Sequence, residues 1–231
     1  MRTAAEVEKL ARALHADPQR LAALEKLAAS DIRALRHAVS DALLEADQQH
    51  FARVADAAKA LPAAVAAKLA EKALGPLLAA RVAALIELER TLDLVSRFSA
   101  AFLADTALEL DPRQAHDLIV ALPADPIAAA AAELDRRGEH IAMSMFVGHL
   151  SDEALHATVA VLSDDALLRV GFLLEAPERL DAIFAELSDE RIDAVVALAA
   201  REDRWTELMG ITDELGPEQQ LRVARLLRAA A

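Results

Sequence analysis

The chain has 231 residues, 55% of them hydrophobic but only 3% aromatic, with no Cys, no Tyr and a formal net charge of −13. The absence of cysteine excludes disulfides, thiolate metal sites and a thiol nucleophile, and it fits a reducing cytoplasm. Ala and Leu, the strongest helix formers, dominate, while Tyr, Trp, Ile and Thr are scarce, so the composition predicts an all-α protein.

The charge is unevenly placed. Residues 1–106 hold 14 Lys/Arg and 14 Asp/Glu, whereas residues 107–231 hold 11 Arg, no Lys and 24 acids, so the whole excess lies in the second half. Binding to a phosphate backbone depends on cations that release counterions, so an acidic domain argues against nucleic acid as the ligand.

The opening stretch MRTAAEVEKLARAL carries Glu6 and Glu8 where an export signal would keep an uninterrupted apolar core, and no such signal is expected. Ser30-Asp31 is expected to cap a helix running past Leu43 and through His50 and Phe51 to Ala60. Pro62 begins another, which Gly75-Pro76 ends. A further helical pattern covers Leu77 to about Leu103, with a kink near Thr91. Every lysine falls in this half, which shows no regular period and reads as an N-terminal helical bundle or cap over 1–106, with a hinge near Asp105–Asp111.

The second half repeats a phrase. Leu150-Ser-Asp-Glu returns as Leu162-Ser-Asp-Asp and again as Leu187-Ser-Asp-Glu. In each, Ser suits an N-cap, the acids suit the positive end of the helix dipole, and Leu can pack on an apolar residue one turn inside. Leu110-Asp111-Pro112 and Leu215-Gly216-Pro217 are variants with Pro in the first turn. Helix starts read this way fall near 111, 123, 138, 151, 163, 177, 188, 203 and 216. Alternate starts lie about 26 residues apart, which predicts paired short helices over 107–231 stacked as a solenoid of helical hairpins.

Two phrases, Leu108-Glu-Leu-Asp-Pro-Arg-Gln-Ala-His-Asp-Leu-Ile119 and Leu187-Ser-Asp-Glu-Arg-Ile-Asp-Ala-Val-Val196, resemble the short repeats of one superfamily. It includes the intracellular N domain of MgtE-type magnesium transporters and the armadillo-like middle region of the flagellar rotor protein FliG. The resemblance covers residues 105–231. It implies a right-handed superhelix (solenoid) and a cytoplasmic, acidic, regulatory or partner-binding domain, and it carries over no metal ligand.

Residues 136–149 are the least repeat-like stretch of the second half. Arg136, Arg137, His140, Met143, Met145 and His149 gather there as the candidate partner-binding patch, since flexible thioethers adapt to varied apolar partners. His140 and Met143 lack the closed spacing of a metal site, and no HExxH, GxSxG, GxGxxG or phosphate loop occurs, so no catalytic residue, metal or cofactor is expected. The sole Trp, Trp205, reads as a packing residue.

The expected function is that of a non-enzymatic cytoplasmic scaffold or regulatory protein. It has no transmembrane segment, and its repeats offer an extended surface to a protein partner with a basic surface. A carrier or sensor of a hydrophobic small molecule held between the two halves is the first alternative, drawn from the apolar stretches Leu77–Ile86 and Leu92–Leu103. A magnesium-sensing module using pooled carboxylates is the second.

Overall fold

The computed structural model describes residues 2–83 and 85–229, with side chains for all of these except 2, 44–50 and 228–229. Among the described residues there is no strand, so the protein is all-α. The chain divides into two compact units, Met1–Leu118 and Ile119–Ala231.

In the first unit, α1 (Arg2–Ala13) is followed by a 3-10 stretch, Pro18–Lys26, and by the long α2 (Ala29–Ala60). Asp17 opens the 3-10 stretch by accepting from the Gln19 amide at 2.9 Å, with Pro18 in the first turn, where no amide donor is missed. Val7 and Leu10 of α1 bury against Ile32 of α2, and Leu21 and Leu24 close over them. Beside this apolar seam Glu6, only 2% exposed, accepts from Arg33 at 2.9 Å and from Lys9 at 3.3 Å. The acid that breaks up the apolar pattern near the start of the chain is therefore an internal tie. The expected Ser30-Asp31 cap is not formed: Ala28 takes the extended backbone of the cap, and Ser30 lies inside the first turn with its hydroxyl 3.5 Å from Asp31.

The chain then turns at Pro62 into α3 (Ala63–Leu69), which passes through a π-helical turn, Ala70–Leu74, and stops at Gly75. Gly75 adopts φ +81, a left-handed value that only glycine reaches cheaply. The helix expected over Leu77–Leu103 is instead three helices: α4 (Pro76–Ala83), α5 (Leu88–Val95) and α6 (Ala100–Leu108). The breaks have local causes. Glu87 and Ser99 take extended backbone, and the Ser99 hydroxyl accepts from the Phe102 amide to restart the chain as α6. Residue 84, within this stretch, lies outside the described residues. Ala63, Ala66 and Ala67 of α3 meet Leu94 of α5, with Ile86 and Phe98 alongside. Small side chains let these helices approach closely.

After Asp111-Pro112 the chain turns before entering α7 (His116–Ala121), so this phrase opens a turn first and the helix five residues later. The second unit continues with α8 (Ala124–Arg136), α9 (His140–Phe146), α10 (Asp152–Val161), α11 (Asp164–Leu173), α12 (Leu180–Glu186), α13 (Asp189–Arg201), α14 (Trp205–Thr212) and α15 (Pro217–Ala229). Ser151, Ser163 and Ser188 cap α10, α11 and α13 by accepting from the amides of Ala154, Ala166 and Arg191. Leu150, Leu155, Leu162, Leu168 and Leu187, the apolar parts of the same phrases, are all buried. Gly138 (φ +74) closes α8: its amide donates to Asp135 O and that of Glu139 to Leu134 O, satisfying carbonyls the helix leaves open.

Apart from α1 on α2 and α14 on α11 and α13, the main packing in both units sets a helix against its second neighbour along the chain. α2 packs on α4 and α4 on α6, while α3 packs on α5. In the second unit α8 packs on α10 and α10 on α12, and α9 packs on α11 and α11 on α13.

Candidate functional site

Several helix starts are held from outside by residues roughly thirty positions away. Arg179 donates to the carbonyl of Leu150 and pairs with Asp152 at 3.0 Å. Arg191 does the same to Leu162 and Asp164, and Arg222 to Leu187 and Asp189. In all three the phrase Leu-Ser-Asp is read by one arginine, which takes the Leu carbonyl and the Asp carboxylate together. The planar fork of a guanidinium suits such a double acceptor. The first unit has a version of the device, in which Arg90 donates to Leu61 O ahead of α3.

Carboxylates act in the opposite direction. Asp135 accepts from the Ser163 amide at 2.7 Å and from its hydroxyl at 2.9 Å. Glu71 accepts from the Ser99 amide at 2.6 Å, and Asp181 from the Gly216 amide at 2.8 Å. The partners stand 28, 28 and 35 residues apart.

The 136–149 stretch enters this web more than it forms a surface. His140 and Met143 are buried, Met145 and His149 are half-buried, and Arg136 alone of the six is fully exposed. His140 Nε2 lies 3.1 Å from Asp135, and a carboxylate can only accept, so Nε2 carries the proton. Its Nδ1 is 3.9 Å from Asp165. Arg136 and Arg137 both clasp Glu133, whose carboxyl is held down to about 2 by hydrogen bonds from Arg136 and Arg137. Asp165 is also held below the ordinary carboxylate value. Partial burial, the largest influence, works against this, and hydrogen bonds from Arg204 and Arg169 overcome it. Arg204 in turn reaches Glu207 of α14.

Serine, aspartate and histidine thus meet at Asp135, but in the wrong order for nucleophilic catalysis. The carboxylate sits between Ser163 and His140, and the Ser163 oxygen already accepts from Ala166. What the arrangement does is bind α8, α9, α11 and α14 into one polar seam. Among the described residues, no three His, Asp or Glu side chains gather in a way that could hold a metal ion. No described helix is long and apolar enough to cross a membrane.

Besides the single exposed side chains Val120, Val161 and Leu221, the second unit exposes an apolar pair on α14. Trp205 and Met209, one turn apart, are 42% and 48% exposed, while Leu208 and Ile211 on the other face are 2% exposed. In sequence the exposed acids Glu202, Asp203, Asp213 and Glu214 flank this pair, with the exposed Arg201 and the paired Arg204 on its N-terminal side. Sequence reasoning assigned Trp205 to packing. The signal available was its neighbourhood: REDRWTELMGITDEL places a Trp-Met pair at helical spacing between Glu202-Asp203 and Asp213-Glu214.

No protein-family model matches the chain, and no curated protein or solved structure is significantly similar to it.

Proposed function

We propose that the protein is a non-enzymatic helical-repeat scaffold, and that the outer face of α14 receives a basic amphipathic helix of a partner protein. The observation carrying this reading is the exposed Trp205–Met209 pair, flanked in the chain by the exposed acids Glu202, Asp203, Asp213 and Glu214, which we take as its rim. Trp is the side chain most enriched among residues that dominate binding energy, and Met adapts to the shape of an apolar partner. The rim steers a basic segment and disfavours an acidic one. Second-neighbour helix packing and the recurring arginine ties support a stacked-repeat architecture, the kind that offers such faces. The resemblance to the MgtE-type and FliG repeats points the same way, toward a partner-binding role in the cytoplasm.

Trp205 is the only tryptophan, so it reports directly on its own face. Titration with a synthetic Leu/Lys amphipathic helix should shift its emission to the blue, saturably and less at high salt. The same peptide with Glu for Lys should leave emission unchanged. Met209→Gln keeps every charge and should weaken the Leu/Lys peptide by about tenfold, a loss of roughly 1.4 kcal/mol. Equal response to both peptides, or no effect of Met209→Gln, would remove the α14 face from consideration.

A further inference from the structure

The first unit contains a second feature of a different kind: two adjoining chambers, one apolar and one polar. The apolar chamber has a volume of about 110 Å³ and is walled by residues such as Val82, Leu94, Val95, Phe98 and Ala107. The polar chamber has about 230 Å³ and presents Arg81, Glu109, Asp111, Gln114 and Asp117. Ala83, Ile86, Thr91, Leu110 and Leu118 line both, so the two spaces meet across a shared apolar collar. These walls belong to the helices of the apolar stretches noted in the sequence, but the space lies inside the first unit.

We infer that this pair of chambers binds a small amphiphilic amine, with the apolar body in the inner chamber and the ammonium in the outer one. The inner space suits a short hydrocarbon: an apolar cavity of about 150 Å³ stays dry and takes up benzene, because water finds no polar partner there. The one polar residue on the collar, Thr91, is 4% exposed and spends its hydroxyl on the Glu87 carbonyl at 3.3 Å. It therefore leaves the passage apolar in character.

Charge selects the head group. The outer chamber presents three carboxylates and one guanidinium. Asp111 is already engaged by Arg113 at 2.8 Å, and His15 approaches Glu109 at 3.8 Å. Arg113 is shared with Asp41 at 3.0 Å, so Glu109, Asp111, Asp117 and Asp41 outnumber Arg81 and Arg113 by two, and by one even when His15 carries a proton. An ammonium head offsets this excess, whereas a carboxylate head of the same length adds to the repulsion.

The test uses the whole chain with methyl-labelled Ile, Leu and Val, and n-heptylamine as the probe, with heptanoate and 1-heptanol as controls of equal length. Heptylamine should move the methyls of Ile86, Val82 and Val95 saturably, and heptanoate should bind at least about tenfold more weakly. Asp117→Asn, at an exposed position, should weaken heptylamine several-fold and leave heptanol unchanged. Ala107→Leu should fill the inner chamber and abolish binding, with circular dichroism confirming its fold. If that variant does not fold, the methyl shifts of the unaltered protein decide. No shift at all, equal affinity for heptanoate, or shifts confined to Val196 and Ile211 around the apolar void of about 50 Å³ in the second unit would overturn the assignment.

Discussion

Arg191 reaches back from α13 to the carbonyl of Leu162, the residue immediately before the Ser163 cap of α11, and holds Asp164 with the same guanidinium. One side chain thus ties two successive layers of helices through backbone as well as charge. Replacing Arg191 by Ala strands a carbonyl that a neighbouring helix covers, at a cost of about 1–3 kcal/mol. Lys carries the charge but not the fork, so Arg191→Lys should recover only part of the loss. Urea denaturation of the two variants measures both. Identical midpoints for wild type and Arg191→Ala would show that the tie contributes nothing.

Glu6 makes a stronger case. It lies 2% exposed between Lys9, Arg33 and Arg36, so Glu6→Ala leaves cations in a low-dielectric seam without their shared carboxylate. Loss of one partner from a buried ionic cluster costs about 3–5 kcal/mol. Because the cluster pins α1 on α2, hydrogen exchange should rise first in α1. An unchanged exchange pattern there would count against the tie.

Acid should destabilise the fold in a defined window. Glu133 and Asp165 both hold their protons less tightly in the folded chain than their ordinary values of 4.5 and 3.8. The unfolded chain therefore takes up protons first as the pH falls, and their contribution is complete above about pH 5–6 and lost toward pH 2. Denaturation midpoints from pH 7 to pH 3 should fall accordingly. The double variant Glu133→Gln, Asp165→Asn should be less stable at pH 7 and show a shallower decline. A decline as steep as that of the wild type would place the acid sensitivity in other carboxylates.

Gly210 is a packing requirement. A Cβ added there would come within 2.8 and 2.9 Å of the ring of Phe172, which is itself buried between α11 and its neighbours. Gly210→Ala must push the ring aside, and overpacking of this kind costs about 1–3 kcal/mol. Thermal unfolding should show the loss, and Phe172→Leu in the same chain should recover part of it. Further destabilisation by the second substitution would rule out the clash as the cause.

Helix starts in the second half were legible because their chemistry is local. Positions 123, 138, 151, 163, 177, 188, 203 and 216 each lie within a few residues of a helix beginning, since a Ser, Pro, Gly or Asp at a helix start can be recognised from its immediate neighbours. The first half misled for a related reason. Leu85, Leu88, Leu92 and Val95 keep a helical apolar spacing across 85–95 with charged residues between them, and only Glu87 and Ser99, inconspicuous in sequence, break the backbone. Its likeness to the second half was hidden too. Arg90 to Leu61 and Glu71 to Ser99 repeat the ties of the second unit at separations of 29 and 28 residues. No shared phrase marks them, because Leu-Pro-Ala and Phe-Ser-Ala stand where Leu-Ser-Asp stands later. The 136–149 stretch shows a third limit. Its arginines and histidine look available in sequence, yet Glu133 and Asp135, one turn upstream, already occupy them.

The carboxylates that steady the helix starts all lie earlier in the chain than the amides they receive: Glu71 before Ser99, Asp135 before Ser163, Asp181 before Gly216. During synthesis, at about 5–20 residues per second, each new start therefore emerges seconds after its acceptor. For these carboxylate contacts the growing chain need not wait for a partner still unmade, and its newest helix start is closed by an acceptor already in place. Only the arginine that locks the layer from above arrives later, so the last-made turn is the loose one until the next is added.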